Sequence, residues 1–465
     1  MRKYYFLLLI PFISVFANAQ NTDSIFIKKL SDEIMVNGKA YDNLRQLCKQ
    51  IGNRLSGSPQ MYKAEAWGMQ TLEKSGADKV WKQPCMVPHW VRGGKDQLWT
   101  SVFVSANNPK MLDGRLENKY LDVLAIGNSE GTGNKVLTGE VVLVNSFDEL
   151  ENKKEQVKDK IVFFNYPFNE TFVRTFAAYG DAAKYRTTGA GRAAKYGAKA
   201  VIVRSMSHAT DNFPHTGAMR YDTAYSKIPA MAIGLRDADW LSARTTKGDI
   251  QVSMKSNAHF LPDTVAHNII GELKGSVYPD QYITIGGHLD SWDVGEGAHD
   301  DGAGIVQTIE VMRALKALGY QPRYTIRFVL FANEENGLRG GTKYFEEAKE
   351  KNEKHLFALE SDAGGFTPRG IGIDASDDVL KKIKSWSALL KPYGCDNLEK
   401  GGGGADIGQL KNVGAVLSSL TPDSQRYFDI HHARSDVFEA VNKRELHLGA
   451  VNMAALICLV DKYGL

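Results

Sequence analysis

Cysteine is scarce in this chain of 465 residues: Cys48, Cys85, Cys395 and Cys458 are the only four, and none lies close to another. That spacing is far too wide for a thiolate metal site. In an exported chain the even number leaves zero, one or two disulfides open. Cys458 sits in the apolar helical run AALICLVDKY, where a buried free thiol is expected. Net charge is scarce too: +3 at pH 7, with Arg2 and Lys3 supplying two of those charges. A near-neutral chain gives no electrostatic reason to expect nucleic acid as a partner. Low-complexity tracts are absent, and 43% hydrophobic with 24% charged residues suits a globular chain. No Walker A loop occurs. GAGRAA at 189–194 imitates a dinucleotide fingerprint, but helix-like YGDAAKYRTTG precedes it instead of a strand.

Long apolar runs are equally few. The N-terminus holds one, YYFLLLIPFISVF, behind the basic pair Arg2 and Lys3 and ahead of Ala17-Asn18-Ala19. Basic start, short apolar stretch and small-x-small site make residues 1–19 a secretory signal cleaved before Gln20. The run is short for a membrane span. No cysteine near the cleavage point offers a lipoprotein anchor. No other stretch approaches eighteen consecutive apolar residues, so the mature form is expected without a membrane anchor.

The length favours two domains. Residues 22–75 read as helices, with Leu44, Leu47, Cys48 and Ile51 at helical spacing and Gly76 as a C-cap. Between 119 and 265 short β-branched runs (EVVLVN, KIVFFN, KAVIVRS, IPAMAIG) alternate with turns, and one helix, AGRAAKYGAK, intervenes. Beyond about 265, apolar runs alternate with amphipathic helices, the pattern of a mostly parallel sheet flanked by helices. The expected organisation is an N-terminal part over 20–120, a β-rich insert over 121–264, and 265–465 completing the α/β domain.

What the chain does have is concentrated chemistry. GGHLDSWDVGEGAHDDGAG, residues 286–304, holds two histidines and five acidic residues. Three successive expected strands end in ligand types: His288 and Asp290 after QYITIGGH, Glu334 and Glu335 after TIRFVLFAN, and Asp362 in LESDAGG. Asp300 and Asp301 precede the next helix, and IHHARSD adds His431, His432 and Asp436. Function collects at the carboxyl edge of such sheets. An isolated glutamate pair is ordinarily a solvated surface. At the end of a buried strand, two adjacent carboxylates cost several kcal/mol of desolvation unless neutralised. A divalent cation neutralises them. Imidazole mixed with carboxylate suits zinc better than calcium or magnesium. Five ligands with one bridging carboxylate fit two ions roughly 3.5–4 Å apart. Asp290, two residues from His288 along the strand, is placed to accept from the far imidazole nitrogen.

These motifs, in this order, resemble the M28 family of co-catalytic zinc peptidases. GNRLSGSPQ and VPHWVRG extend the likeness over nearly the whole mature chain. The resemblance implies a zinc exopeptidase fold with an inserted protease-associated (PA) domain, corresponding to the β-rich unit. It implies two zinc ions per chain: His288 and Asp362 on one, Glu335 and His432 on the other, and Asp300 bridging, followed by a cis peptide bond. Glu334 falls at the position of the general base. Asp436 is expected to orient His432, and His431 to lie near the substrate carbonyl. GGGGADIG, with Gly404, matches a loop near the substrate. The implied substrate is a dipeptide or short peptide with a free amino terminus, the implied location periplasmic or extracellular, and the implied assembly a homodimer. Two other readings share the fold: a single-zinc glutaminyl cyclase, and a receptor-like binding module that has lost its ligands. No ligand position is substituted here.

Overall fold

Two eight-stranded sheets organise the chain. The computed structural model describes residues 11–104, 115–248 and 250–465, with side chains from residue 22 onward except at 102–104, 115 and 116. The signal expected at 1–19 has its first ten residues, and its side chains throughout, outside the described residues.

In the first sheet the spatial order is Lys79–Val91, His259–Leu273, Tyr324–Phe331, Tyr278–His288, Lys354–Glu360, Val416–Pro422, Pro368–Asp374 and Asn397–Lys400. The four central strands run parallel. Their apolar runs are buried on both faces; Ile283, Ile285, Phe328, Phe331, Phe357 and Leu359 are fully inaccessible. Full burial of side chains like these contributes about 1.5–3 kcal/mol each. His259–Leu273 joins Tyr324–Phe331 and Lys79–Val91 antiparallel, and Pro368–Asp374 joins Val416–Pro422 antiparallel, while the edge strand Asn397–Lys400 runs parallel to Pro368–Asp374. After Tyr278–His288 the next strand lies on one side and the following strand on the other. That reversal opens a crevice at the carboxyl ends.

Helices cover the sheet. Ala303–Ala317 and Lys443–Tyr463 pack together, with Ile27, Leu30 and Ile34 of Pro11–Asn37 in the same core. Ser58 caps Pro59–Lys74 by accepting from the Met61 N–H at 3.1 Å, with Pro59 in the first turn. Asn442 caps Lys443–Tyr463 through the amides of Arg444 and Glu445. That last helix, mean hydropathy 1.2, is apolar and long enough to cross a membrane by composition and length, but 83% of its apolar window is buried within the protein. The four cysteines are buried and free, so no disulfide joins them.

In the second sheet the order is Arg115–Leu121, Gln97–Val104, Gln251–Lys255, Leu137–Val144, Ile161–Phe164, Ala200–Arg204, Ala230–Ile233 and Val123–Ala125. It begins at Gln97, upstream of residue 121, while His259–Leu273 already belongs to the first sheet. Strand alternation explains its burial. Val162, Phe164, Val201 and Val203 pack in one cluster with Tyr185 and Ala193, whereas Ile161, Phe163, Ala200 and Ile202 pack with Ala238 and Leu241. Two helices are therefore needed, Thr175–Ala194 and Leu235–Thr245, where the sequence pattern suggested one. GAGRAA lies inside the first of them.

Candidate metal centre

Three central strands end in chemistry-bearing side chains, while Asp300 lies in the turn Ala298–Gly302 and His431 and His432 follow the helix Tyr427–Ile430. His288 is the last residue of Tyr278–His288, and Asp362 follows Lys354–Glu360 by two positions. After Tyr324–Phe331 the chain turns at Asn333, whose φ of 63° is left-handed, and Leu338 is left-handed as well. This tight turn sets Glu334 and Glu335 at the strand end. The Asp300–Asp301 peptide bond is cis.

The structure brings the expected residues together. Nε2 of His288 lies 3.2 Å from Oδ1 of Asp300 and 3.5 Å from Oδ1 of Asp362. Nε2 of His432 lies 3.1 Å from Oδ2 of Asp300 and 3.1 Å from Oε2 of Glu335. Asp300 thus presents one oxygen to each imidazole. His431 is close as well: its ring stacks on His432 at 3.5 Å, and its Nε2 lies 3.5 Å from Asp300 Oδ2. Donor atoms of His288, Asp300 and Glu335 lie within 4.8 Å of one another, as do those of His288, Asp301 and Asp362, and those of Asp300, His431 and His432.

The electrostatics of the cluster suit a bound cation. Burial drives the Glu334 carboxyl well above its ordinary range, with Asp362 and Glu335 adding to the effect and His288 opposing it. Glu335 is pushed up to about 7, by burial and then by Asp300. Burial alone would lower the His288 imidazole, yet Asp362 and Asp300 raise it well above its usual value. Among the described residues, Oε1 of Glu335 and Nδ1 of His432 have no hydrogen-bond partner. Buried polar atoms left this way are costly. Divalent cations would engage the carboxylates and remove their mutual repulsion. The donor set of imidazole and carboxylate, without thiolate, fits zinc.

Two supporting roles differ from the sequence expectation. His288 Nδ1 is satisfied at 3.0 Å by the backbone carbonyl of Asp290, and the Asp290 carboxylate stands 3.7 Å away. That carboxylate instead accepts the N–H groups of Glu334 at 3.0 Å and Glu335 at 3.4 Å. The amides freed by the Asn333 turn compete for it and win. Asp436 likewise does not reach His432. It accepts from the N–H of His299 at 2.8 Å and of Asp300 at 3.2 Å, holding the segment that carries the shared carboxylate. Gly404 lines a cavity that Asp362 also lines.

Some contributors carried no readable signal. Arg54, in the GNRLSG stretch, is fully buried and donates to the carbonyls of Leu289, Glu296 and Gly297 at 2.5, 2.8 and 3.0 Å. It ties the two ends of the 288–300 segment to one point. Asp301 accepts from the N–H groups of His288 and Gly304, at 3.1 and 3.0 Å. The second-sheet unit also reaches the site. His215 Nδ1 lies 2.7 Å from the His431 carbonyl, and the Thr216 N–H donates to the His432 carbonyl at 3.0 Å.

Comparison with known proteins places this arrangement. Residues 268–457 match the model of peptidase family M28. Carboxypeptidase Q of Bos taurus is 34% identical over 423 residues, covering 91% of this chain and 85% of that one. The Homo sapiens carboxypeptidase Q is 34% identical, covering 93% and 88%. A peptidase M28 precursor from Shewanella amazonensis superposes with a TM-score of 0.88 at 31% identity, covering 96% of this chain and 98% of that one. A zinc aminopeptidase of Bacillus subtilis, 20% identical, shares the fold with a TM-score of 0.63 over 90% and 94%. With identity at this level over 91% and 93% of its length, the chain belongs to peptidase family M28 and is a metallopeptidase.

Proposed function

We propose that this protein is an exported exopeptidase that uses two zinc ions to hydrolyse dipeptides or short peptides with a free amino terminus. One observation carries the reading: the two oxygens of Asp300 are divided between His288 and His432 at 3.2 and 3.1 Å. That division suits a carboxylate shared by two ions. In this reading His288 and Asp362 complete one site, and Glu335 and His432 the other. Bound zinc lowers the pKa of water towards neutrality and polarises the scissile carbonyl.

The chain's own residues supply the rest. Glu334 sits beside Glu335 but is left out of the ligand set, free to take a proton from the attacking water and pass it to the leaving amine. Asp290 fixes the backbone of that glutamate. His431, buried and held neutral by burial and by its neighbour His432, can donate to the developing oxyanion. The unit built on the second sheet is read as the protease-associated insert, closing over the site through His215 and Thr216. The sequence signal before Gln20 supports a periplasmic or extracellular location.

The test is to incubate purified mature protein with a dipeptide panel, with and without chelator, and to measure zinc per chain by mass spectrometry. Two ions per chain and chelator-sensitive release of free amino acids are expected. One ion per chain with cyclisation of N-terminal glutamine would replace this reading by the cyclase one. N-terminal sequencing of exported protein should begin at or near Gln20, and an intact Met1 would remove the export reading.

A further inference from the structure

A cavity of 550 Å³ opens beside the cluster and runs sideways across the first sheet, from Asp362 towards the edge strand Asn397–Lys400. Ile371, Leu420 and Pro422 contribute apolar lining, and Gly401 to Gly404 supply a backbone wall. The second-sheet unit provides Arg174 and Phe176. Arg174, largely exposed, pairs with Glu399 at 3.0 Å, Thr175 Oγ1 donates to the Ser424 carbonyl at 2.9 Å, and the Phe176 ring stacks on Tyr427 at 5.5 Å.

One lining group is unexplained by the metal centre. Glu360 is 1% exposed, and its Oε2 accepts the N–H groups of Asp406 and Ile407 at 3.1 and 3.0 Å. Its Oε1 makes no hydrogen bond. A buried carboxylate oxygen without a donor is costly and calls for a donor from outside the fold. The cations on the cavity wall are already engaged, Arg174 with Glu399 and Lys400 with Asp377 at 2.8 Å. The cavity's unbalanced charge is therefore acidic, and it lies two residues from Asp362, at the end nearest the reacting centre. Gly404 is required for this layout: a Cβ there would stand 1.9 Å from the Glu360 carboxyl carbon.

We propose that this cavity holds the amino-terminal residue of the substrate, with Oε1 of Glu360 accepting from its α-ammonium group. The inference rests on the exopeptidase reading and names the residue that would select for a free amine. In a substrate with a free amino terminus, the cation adjoining the scissile residue is the α-ammonium, and Glu360 lines the cavity beside Asp362. The apolar walls accept a bulky side chain, and Arg174 and Phe176 stand where a longer chain would continue.

The test compares L-leucinol with its des-amino counterpart, 4-methylpentan-1-ol, neither of which has a scissile bond, binding to zinc-loaded protein by calorimetry. Glu360→Gln should weaken leucinol roughly 10- to 100-fold, the size of a lost charge-assisted hydrogen bond. It should leave the des-amino ligand and the zinc content unchanged. Gly404→Ala, which displaces the Glu360 carboxylate by contact, should shift the same ratio in the same direction. Equal weakening of both ligands, no change in either, or loss of zinc from Glu360→Gln would each overturn the proposal. Binding is read directly, so the result stands apart from cleavage. Chelator-sensitive hydrolysis of Ala-Leu by the unmodified protein tests the underlying exopeptidase reading on its own.

Discussion

The carboxylate of Asp290 accepts the backbone N–H of Glu334 at 3.0 Å and that of Glu335 at 3.4 Å. One buried side chain at the end of one strand thus fixes the turn at the end of its neighbour. The two glutamates to which we assign different roles hang from that turn, so their positions depend on it. Asp290→Asn keeps the size but replaces one accepting oxygen with an NH₂ facing an N–H donor. We expect kcat to fall roughly 10- to 100-fold with metal content retained, the usual range for supporting groups. Steady-state kinetics beside metal analysis check it; unchanged kcat would show that the turn holds itself.

Glu334 and Glu335 are adjacent, yet their substitutions should separate. Glu335→Gln removes a charged ligand, so one metal should bind more weakly and thermal stability should fall with it. Glu334→Gln keeps shape but not the proton acceptor, and should lose on the order of 10²–10⁴ in kcat while retaining both ions. If Glu334→Gln lost metal and Glu335→Gln did not, the assignments would be reversed.

Asp436 holds the amides of His299 and Asp300. Asp436→Ala frees the segment carrying the shared carboxylate, so metal affinity should fall roughly 10- to 100-fold. Titration against a competing chelator measures this. An unchanged affinity would show that the neighbouring Arg54 contacts suffice.

Far from the site, Glu353 pairs with Arg327 at 2.7 Å and lies 3.2 Å from His355. Burial would raise its carboxyl, but hydrogen bonds from His355 and Arg327 hold it down at about 2, against an ordinary 4.5. A carboxylate whose pKa is depressed on folding contributes stability above its unfolded value, and that contribution is lost as pH falls through the folded one. Glu353→Gln should therefore be less stable than the unmodified protein at neutral pH. Its stability should also decline less steeply between pH 4.5 and about 2. Denaturant unfolding at a series of pH values reads the difference; parallel curves would remove the pair as a contributor.

Much of the candidate centre was legible in the sequence because four of its side chains, His288, Glu334, Glu335 and Asp362, stand at or just past strand ends, and strands announce themselves locally. The run QYITIGGH could only be a strand buried on both faces, so His288 had to emerge at its end; the same holds for TIRFVLFAN with Glu334 and Glu335, and for HLFALE with Asp362. The α/β class followed from the same alternation. What local pattern could not decide was which partner each buried carboxylate takes. Asp290 and Asp436 were expected to orient histidines because they stand near them in sequence. Their actual donors are amides 44 and 136–137 positions away. Arg54 reaches carbonyls 235 to 243 positions distant, and Glu360 is left with one empty acceptor only because residues 404–407 fold against it. Composition and period fix which residues are buried and where chains turn. Hydrogen-bond pairing among groups already buried is settled by competition between donors brought together from across the chain, and that competition exists only once the sheets have packed.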